Sequence, residues 1–334
     1  MTNQNYFKLF ACCIPVQGAK RTILCDLQRQ AFHQIPTELV DLLSDNAISL
    51  PSLNNQVDGD ELGKLLDILV EKEFGFYTST PELFPSIDLS LDDNPNIIDN
   101  AIIDIDEDSD FELGKVMEQL SELLCAAVEL RVYCQLSLKK LTKLLTTFEN
   151  TTIRTIHLTL PSNDEFEDSA HLAELFFGNK KIRQVNVYGS KRNQLISMYT
   201  GASLVYCSAE VIDETSCGNI SPAYFSANLD MFKQSQRYNN CLYKKMSIDR
   251  FGQVKNCPSM SKSFGHVHEV KLLDVVQNQE FTKPWSINKD KIAVCQDCEF
   301  RYICLDCRAY TDNDEALGKP AKCKYNPYTA VWDE

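Results

Sequence analysis

The sequence predicts an α/β protein, with a small α+β unit ahead of the α/β region and a cysteine-rich segment behind it. Three observations predict this. Between about residues 100 and 210, β-branched runs alternate with amphipathic helical patterns; before that, strand patterns precede helical ones; and in the last third Cys241, Cys257, Cys295, Cys298, Cys304, Cys307 and Cys323 stand at motif-like intervals. Alternation of strand and helix implies parallel pairing through right-handed crossovers. A chain of 334 residues, 44% of them hydrophobic, is long enough to bury more than one core. The expected organisation is an α+β domain over 1–80, an acidic linker over 81–99, the α/β region over 100–212 and the cysteine-rich domain over 213–334.

In the N-terminal unit, YFKLFACCIPV and KRTILCDL alternate as two strands joined through Gln17-Gly18-Ala19-Lys20, and QAFHQI adds a third. Pro36 opens a helix over PTELVDLLSD, with Leu39, Val40 and Leu43 on one face. A second helix starts with Asp58 as N-cap and Glu61 completing a capping box; Leu62, Leu65, Leu66, Ile68 and Leu69 form its apolar stripe. GFYTST closes the unit as a strand. Strands followed by helices in this order resemble the winged-helix-like element with which peptide-modifying enzymes capture a precursor's leader peptide. That resemblance implies peptide binding by strand addition at a sheet edge, which uses backbone groups more than side chains. A purely structural domain with an ordinary edge strand is the other reading. Cys12, Cys13 and Cys25 lie on these strands without metal-binding spacing and read as small buried hydrophobes.

The formal net charge of −14 argues against a protein that tracks nucleic-acid phosphates. Between Glu82 and Asp110 there are ten acidic residues and no Lys or Arg, and the segment PELFPSIDLSLDDNPNIIDN carries Pro81, Pro85 and Pro95. This is the composition of a solvated linker, or of a docking surface for a basic peptide.

The α/β region is built from the strand runs AIIDID, ELRVYCQL, TTIRTIHLTL, KIRQVNVYG and ASLVYCSA. The helical patterns FELGKVMEQLSELLCAAV, LSLKKLTKLLTTF and HLAELFFG lie between them. About five strands suffice for a partial barrel or an open sheet. Cys125 and Cys134 fit element interiors, and His157 and His171 lack a partner at motif spacing, so all four read as structural. There is no GxxxxGK[ST], no GxGxxG after a strand and no GxSxG. Asp104, Asp106, Asp108 and Asp110 alternate after the first strand and read as solvated loop carboxylates rather than a general acid–base pair.

Fourteen cysteines in a secreted chain would form disulfides, but the start, MTNQNYFKLFACCIPV, breaks its apolar run with Lys8 and Pro15 and offers no signal cleavage site. The sequence also lacks the run of about 18 apolar residues that a membrane span needs. The expectation is a soluble, cytoplasmic protein without a membrane partner, whose clustered cysteines bind metal or do redox work. Cys241 is followed by Gly252 and Cys257, then come the pairs Cys295/Cys298 and Cys304/Cys307, and Cys323 ends the set. A 4Fe-4S cube takes four thiolates, so two cubes need eight and the seven-cysteine pattern needs one more donor. Cys217 is the candidate, with Cys207 the alternative. Tetrahedral zinc at the double CxxC is the competing reading, although zinc knuckles normally stand farther apart than Cys298 and Cys304. His266 and His268 alternate in FGHVHEV as strand residues do, and as imidazoles they are further potential donors.

This spacing resembles the SPASM domain, the auxiliary iron–sulfur module of many radical SAM peptide maturases, over roughly residues 217 to 334. CLYKKMSIDRFGQVKNCPSM, CQDCEFRYICLDCRAY and KPAKCKYNPYTAVW resemble more closely the SPASM protein of grasp-with-spasm systems, which is encoded beside an ATP-grasp ligase and a short precursor peptide. The resemblance implies two 4Fe-4S clusters, one on Cys217, Cys241, Cys257 and Cys307 and the other on Cys295, Cys298, Cys304 and Cys323. It also implies a degenerate radical SAM-like partial (β/α) barrel for residues 100–212. Radical SAM enzymes bind their catalytic cluster through CxxxCxxC after the first barrel strand, and AIIDIDEDSDFELG has no cysteine there. Two functions follow. In one, the protein is a maturation partner that binds the precursor peptide and presents it to an ATP-grasp ligase; in the other, it is a redox enzyme that modifies peptides with its auxiliary clusters.

Overall fold

This computed structural model of the chain describes residues 5–43, 46–53, 59–91, 94–199, 201–211 and 213–333. In chain order the strands are β1 (Tyr6–Leu9), β2 (Cys13–Gln17), β3 (Thr22–Asp26), β4 (Ala31–Ile35), β5 (Ala47–Ser49), β6 (Gly75–Thr78), β7 (Asn100–Ile105), β8 (Ala127–Val132), β9 (Thr155–Pro161), β10 (Ile182–Tyr188), β11 (Gln194–Tyr199), β12 (Ala202–Tyr206), β13 (Lys245–Ile248), β14 (Val254–Lys255), β15 (Tyr325–Asn326) and β16 (Val331–Trp332). The helices are α1 (Thr37–Leu42), α2 (Leu50–Leu53), α3 (Gly59–Glu71), α4 (Leu113–Glu122), α5 (Leu138–Leu145), α6 (Asp164–Glu167), α7 (Ser169–Gly178), α8 (Leu229–Ser235), α9 (Leu272–Gln277) and α10 (Gln279–Thr282). They form two compact units, neither continuous in sequence. The first comprises residues 1–92, 220–240 and 287–334, and the second residues 93–219 and 241–286.

In the first unit the expected single strand YFKLFACCIPV is two. The Cys13 amide donates to the Phe10 carbonyl (2.9 Å), and this turn sends β1 and β2 into different sheets, ordered β5-β1-β6 and β2-β3-β4. No Gly or Pro stands between Tyr6 and Ile14 to mark the turn, so the apolar run conceals it. Pro15 is tolerated because β2 is an edge strand. Phe7, Leu9, Leu39, Ile48, Leu66 and Leu69 close one core under α1 and α3. The expected N-cap Asp58 and the end of the PTELVDLLSD helix, Ser44 and Asp45, lie outside the described residues. Val16, Ile23 and Cys25 pack instead with Phe232, Phe300, Ile303 and Tyr325 in a second core, so the β2–β3 hairpin is part of the cysteine-rich structure. The acidic segment is partly anchored as well: Phe84 stands edge-on to Phe76 (4.7 Å), and Leu89 packs on the second core.

The second unit is mixed α/β. Among the described residues its sheet has eight strands in the order β11-β12-β10-β9-β8-β7-β13-β14. All neighbours from β12 to β13 are parallel, and β11 and β14 are antiparallel edges. Strand β11 has no strand pattern in QLISMY that sequence reading picks out, because as an antiparallel edge it keeps Gln194, Leu195 and Ser197 exposed. Strands β13 and β14 enter the sheet from within the cysteine-rich sequence. Helix α4 ends earlier than its apolar pattern suggests, because Leu124 takes a left-handed conformation (φ 55°) and the Cys125 amide returns to the Leu120 carbonyl (3.0 Å). Side-chain caps start the following helices: Ser137 on α5, Asn163 on α6 and Asp168 on α7.

The two faces of this sheet differ. Ala101, Ile103, Val128, Leu130, Leu158, Val185, Val187 and Leu204 are buried with Val116, Met117, Leu120, Leu141 and Phe176 from the helices. On the other face the register lines up Ser247, Ile102, Glu129, His157, Gln184 and Ser203 across successive strands. Two residues further on come Asp104, Arg131, Thr159, Asn186 and Val205. Asp104 is therefore not the solvated loop carboxylate expected: it is 1% exposed and pairs bidentately with Arg131 (2.6 and 2.8 Å). Burial pushes its carboxyl up to about 6 against the pull of Arg131, which leaves it ionised at neutral pH. Asp104→Ala should destabilise the protein by about 3–5 kcal/mol, because it strands a buried guanidinium. Replacing both partners with Leu should cost less in the same urea titration.

Candidate metal centre

Cys295, Cys298, Cys304 and Cys323 belong to the first unit and stand near enough to act on one another electrostatically: Cys295 is affected by Cys304 and Cys323, and Cys304 by Cys323. Cys298 is affected by Cys304 and Cys295. The segment bearing the first pair is clasped by the β2–β3 hairpin. The Ala19 amide donates to the Asp297 carbonyl (2.7 Å), Arg301 Nη1 donates to the Gln17 carbonyl (2.6 Å), and Arg21 pairs with the fully buried Glu299 (3.1 Å). Tyr325 donates to the same Glu299 oxygen (2.5 Å). A Cβ on Gly18 would stand 2.6 Å from the Glu299 amide nitrogen, so only glycine permits this approach.

The turn between Cys304 and Cys307 is held from outside by polar side chains. Lys289, 4% exposed, donates through Nζ to the carbonyls of Cys304 (2.7 Å) and Leu305 (2.9 Å). Asn240 donates to the Cys304 carbonyl (2.8 Å) and accepts from the Asp306 amide (2.9 Å). Asp306 is in turn bound by Asn239 and by Arg308 (2.8 Å). Cys307 is buried between Asp306 and Arg308 in the chain.

In the second unit Cys217, Cys241 and Cys257 gather around Lys245 on the polar face of β13. Lys245 Nζ lies 3.6 Å from Cys241 Sγ. Burial drives its ammonium down, but the sulfurs of Cys241, Cys257 and Cys217, together with Glu129, hold it above the ordinary lysine value. Cys257 is buried and Cys217 exposed. Cys207, the other candidate for an eighth donor, follows β12, where its amide donates to the Val187 carbonyl (2.9 Å) and its carbonyl accepts from Ser190 (3.0 Å). The lysines, Glu299 and the Asn239-Asn240 pair were not singled out from sequence. Their only signal is proximity to the cysteines in the chain.

Two properties of the sulfurs bear on what they hold. Burial pushes the thiols of Cys257 and Cys295 up to about 12, so without a metal these two groups are protonated at neutral pH. Among the described residues, the groups of three ligand atoms within 4.8 Å of one another are Cys12–Cys13–Asp26 and Asp110–His266–His268, and none is drawn from the eight motif cysteines. The donor set is all-sulfur, with Cys257, Cys295, Cys304 and Cys307 buried, and thiolate donors of this kind suit an iron–sulfur cluster.

Comparison with known proteins gives three findings. Residues 240–299 match the SPASM model, an iron-sulfur cluster-binding domain. The crystal structure of Streptococcus suis SuiB is similar at 12% identity and a TM-score of 0.35, covering 97% of this chain and 99% of that one. No curated protein sequence matches the chain. Among the described residues, no helix is long and apolar enough to cross a membrane.

Lys289→Met should lower stability by about 1.5–3 kcal/mol, the range for charge-assisted hydrogen bonds, measured by denaturation of the protein as isolated. Its iron content should fall as the Cys304 turn loosens.

Proposed function

We propose that the protein binds two 4Fe-4S clusters and acts as a maturation partner in a grasp-with-spasm system, holding a ribosomally synthesised precursor peptide for an ATP-grasp ligase. The observation that carries this reading is the iron–sulfur domain match over residues 240–299, in a chain whose β7 loop has no cysteine with which to open an iron to S-adenosylmethionine. Cys295, Cys298, Cys304 and Cys323 are the proposed ligands of one cluster, and Cys217, Cys241 and Cys257 are proposed as three of the four ligands of the other. When bound, such clusters supply one-electron redox capacity at a potential set by ligation, hydrogen bonding and burial.

The chain's own residues supply the binding surfaces. The sheet β5-β1-β6 has two edge strands, and backbone groups at such an edge are the requirement for capturing a leader by strand addition. The polar side of the large sheet carries the half-buried Glu129, His157, Gln184, Asn186 and Ser203, donors and acceptors suited to the backbone and polar side chains of a core peptide. With a leader held at the N-terminal sheet, the core reaches the ligase at raised effective concentration.

Anaerobically purified protein should contain about eight iron and eight sulfide per chain, four of each for every cube. Cys298→Ala and Cys257→Ala should each remove about half, and one or two zinc ions with no sulfide would overturn the cluster assignment. In a reconstituted reaction of precursor, ATP-grasp ligase and ATP, omission of this protein should slow modification or scramble its sites. An unchanged product formed at an unchanged rate would sink the maturation role.

A further inference from the structure

Outside the cysteine groups, the second unit brings together Asp110, His266 and His268, far apart in sequence, with their ligand atoms within 4.8 Å of one another. His266 Nε2 faces Asp110 Oδ1 at 3.5 Å, and the imidazoles of His266 and His268 meet edge to face with centroids 4.7 Å apart. We propose that these three side chains form a mononuclear site for a divalent transition-metal ion, separate from the cysteine groups.

Two backbone segments hold the donors, and both are braced. Asp110 lies in the loop after β7, at the carboxyl end of a parallel strand, the position where α/β sheets place ligands. That loop is tied to the turn between β13 and β14: Ser109 Oγ donates to the Arg250 carbonyl (2.7 Å), and Arg250 approaches Asp106 (3.7 Å). The same turn carries the histidine segment, because His266 bridges to Gln253 and the Val267 amide donates to the Gly252 carbonyl (3.0 Å). Asp249 fixes the turn by accepting from the amides of Phe251 (3.0 Å) and Gln253 (2.9 Å).

Gly252 is the cradle. Its φ is +71°, and a Cβ there would come within 2.3 Å of His266 Nε2. Glycine thus admits the donor atom of the imidazole to the place where it meets Asp110. The His268 amide donates to His266 Nδ1 (3.2 Å), which puts the ring hydrogen on Nε2, toward Asp110. An ion takes the place of that hydrogen. Ligation through Nε2 shifts the ring hydrogen to Nδ1 and releases the amide, a change confined to an exposed contact between residues two apart.

Two imidazoles and a carboxylate suit zinc, iron(II), cobalt(II) or nickel(II) rather than magnesium or calcium, which prefer all-oxygen shells. Three protein ligands leave a coordination position open, as in sites that bind an exchangeable water or substrate. The Asp110 side chain is 70% exposed and His266 18%, so this position is reachable from solvent.

The test is a Zn(II) titration of the full chain carrying its own iron and sulfide, after removal of loosely held metal. The wild-type protein should take up one equivalent that His268→Ala and Asp110→Ala bind at least ten-fold more weakly, with iron and sulfide content unchanged. Gly252→Ala, which keeps all three donors, should weaken the same equivalent. Co(II) placed there should show visible d–d absorption without the intense thiolate charge-transfer band of a cysteine site. Identical isotherms for the wild type and His268→Ala, whose side chain is exposed, would overturn the proposal and leave an ordinary polar contact between His266 and Asp110. A thiolate band for the added cobalt would overturn it too. Neither outcome depends on whether the protein acts in peptide maturation.

Discussion

Lys289 donates to carbonyls inside one cysteine-bearing turn, and Lys245 lies against Cys241 on the sheet. An ammonium removed from water is costly unless an anion stands beside it. Sulfur and carboxylate both stand beside each lysine: Cys304 and Asp306 near Lys289, and Cys241, Cys257 and Glu129 near Lys245. A metal holding these sulfurs as thiolates would add negative charge at both places. The rest of the cysteine-rich structure is arranged around this requirement, from the asparagines that satisfy the Cys304–Cys307 turn to the buried Glu299.

The first unit shows why such sites are assembled from distant segments. Small cysteine-rich turns have little apolar surface of their own, and this one obtains a core by taking in the β2–β3 hairpin, whose Val16, Ile23 and Cys25 pack with Phe232, Phe300 and Tyr325. The hairpin also supplies hydrogen bonds to the Cys295–Cys298 segment. A hairpin from the N-terminal segment thus braces the proposed ligands through Gly18 and Arg21.

Parallel sheets are usually covered by helices on both faces, and their strands then read as continuous apolar runs. Here Asp104, Glu129, Arg131, His157 and Thr159 alternate with core residues, and the pattern is explained by a sheet whose helix-packed core lies on one side. The Asp104–Arg131 pair stabilises that polar side only as a pair, since either charge alone would be stranded in a region with little water.

Residue periodicity carried most of the α/β region. Strands β7 to β10 and β12, and helices α4, α5 and α7, follow from alternation and 3.6-residue stripes that any neighbouring surface would impose. Cysteine spacing likewise sufficed to expect an iron–sulfur domain, because ligands within one turn must sit at short, regular intervals. Other features had no local signature. The break between β1 and β2 is unmarked by Gly or Pro, β11 is a largely exposed edge, and the burial of Asp104 depends on Arg131 from another strand. Asp110, His266 and His268 carry no motif at all, since their meeting depends on one loop being tied to a turn 141 residues away by the bond from Ser109 to the Arg250 carbonyl. The sequence by itself determined the element types and the chemistry of the cysteine donors, because both rest on interactions between residues close in the chain. Only the tertiary structure decided which donors share a site and which charges are buried, because desolvation and ligand geometry depend on neighbours that the chain brings together only by folding.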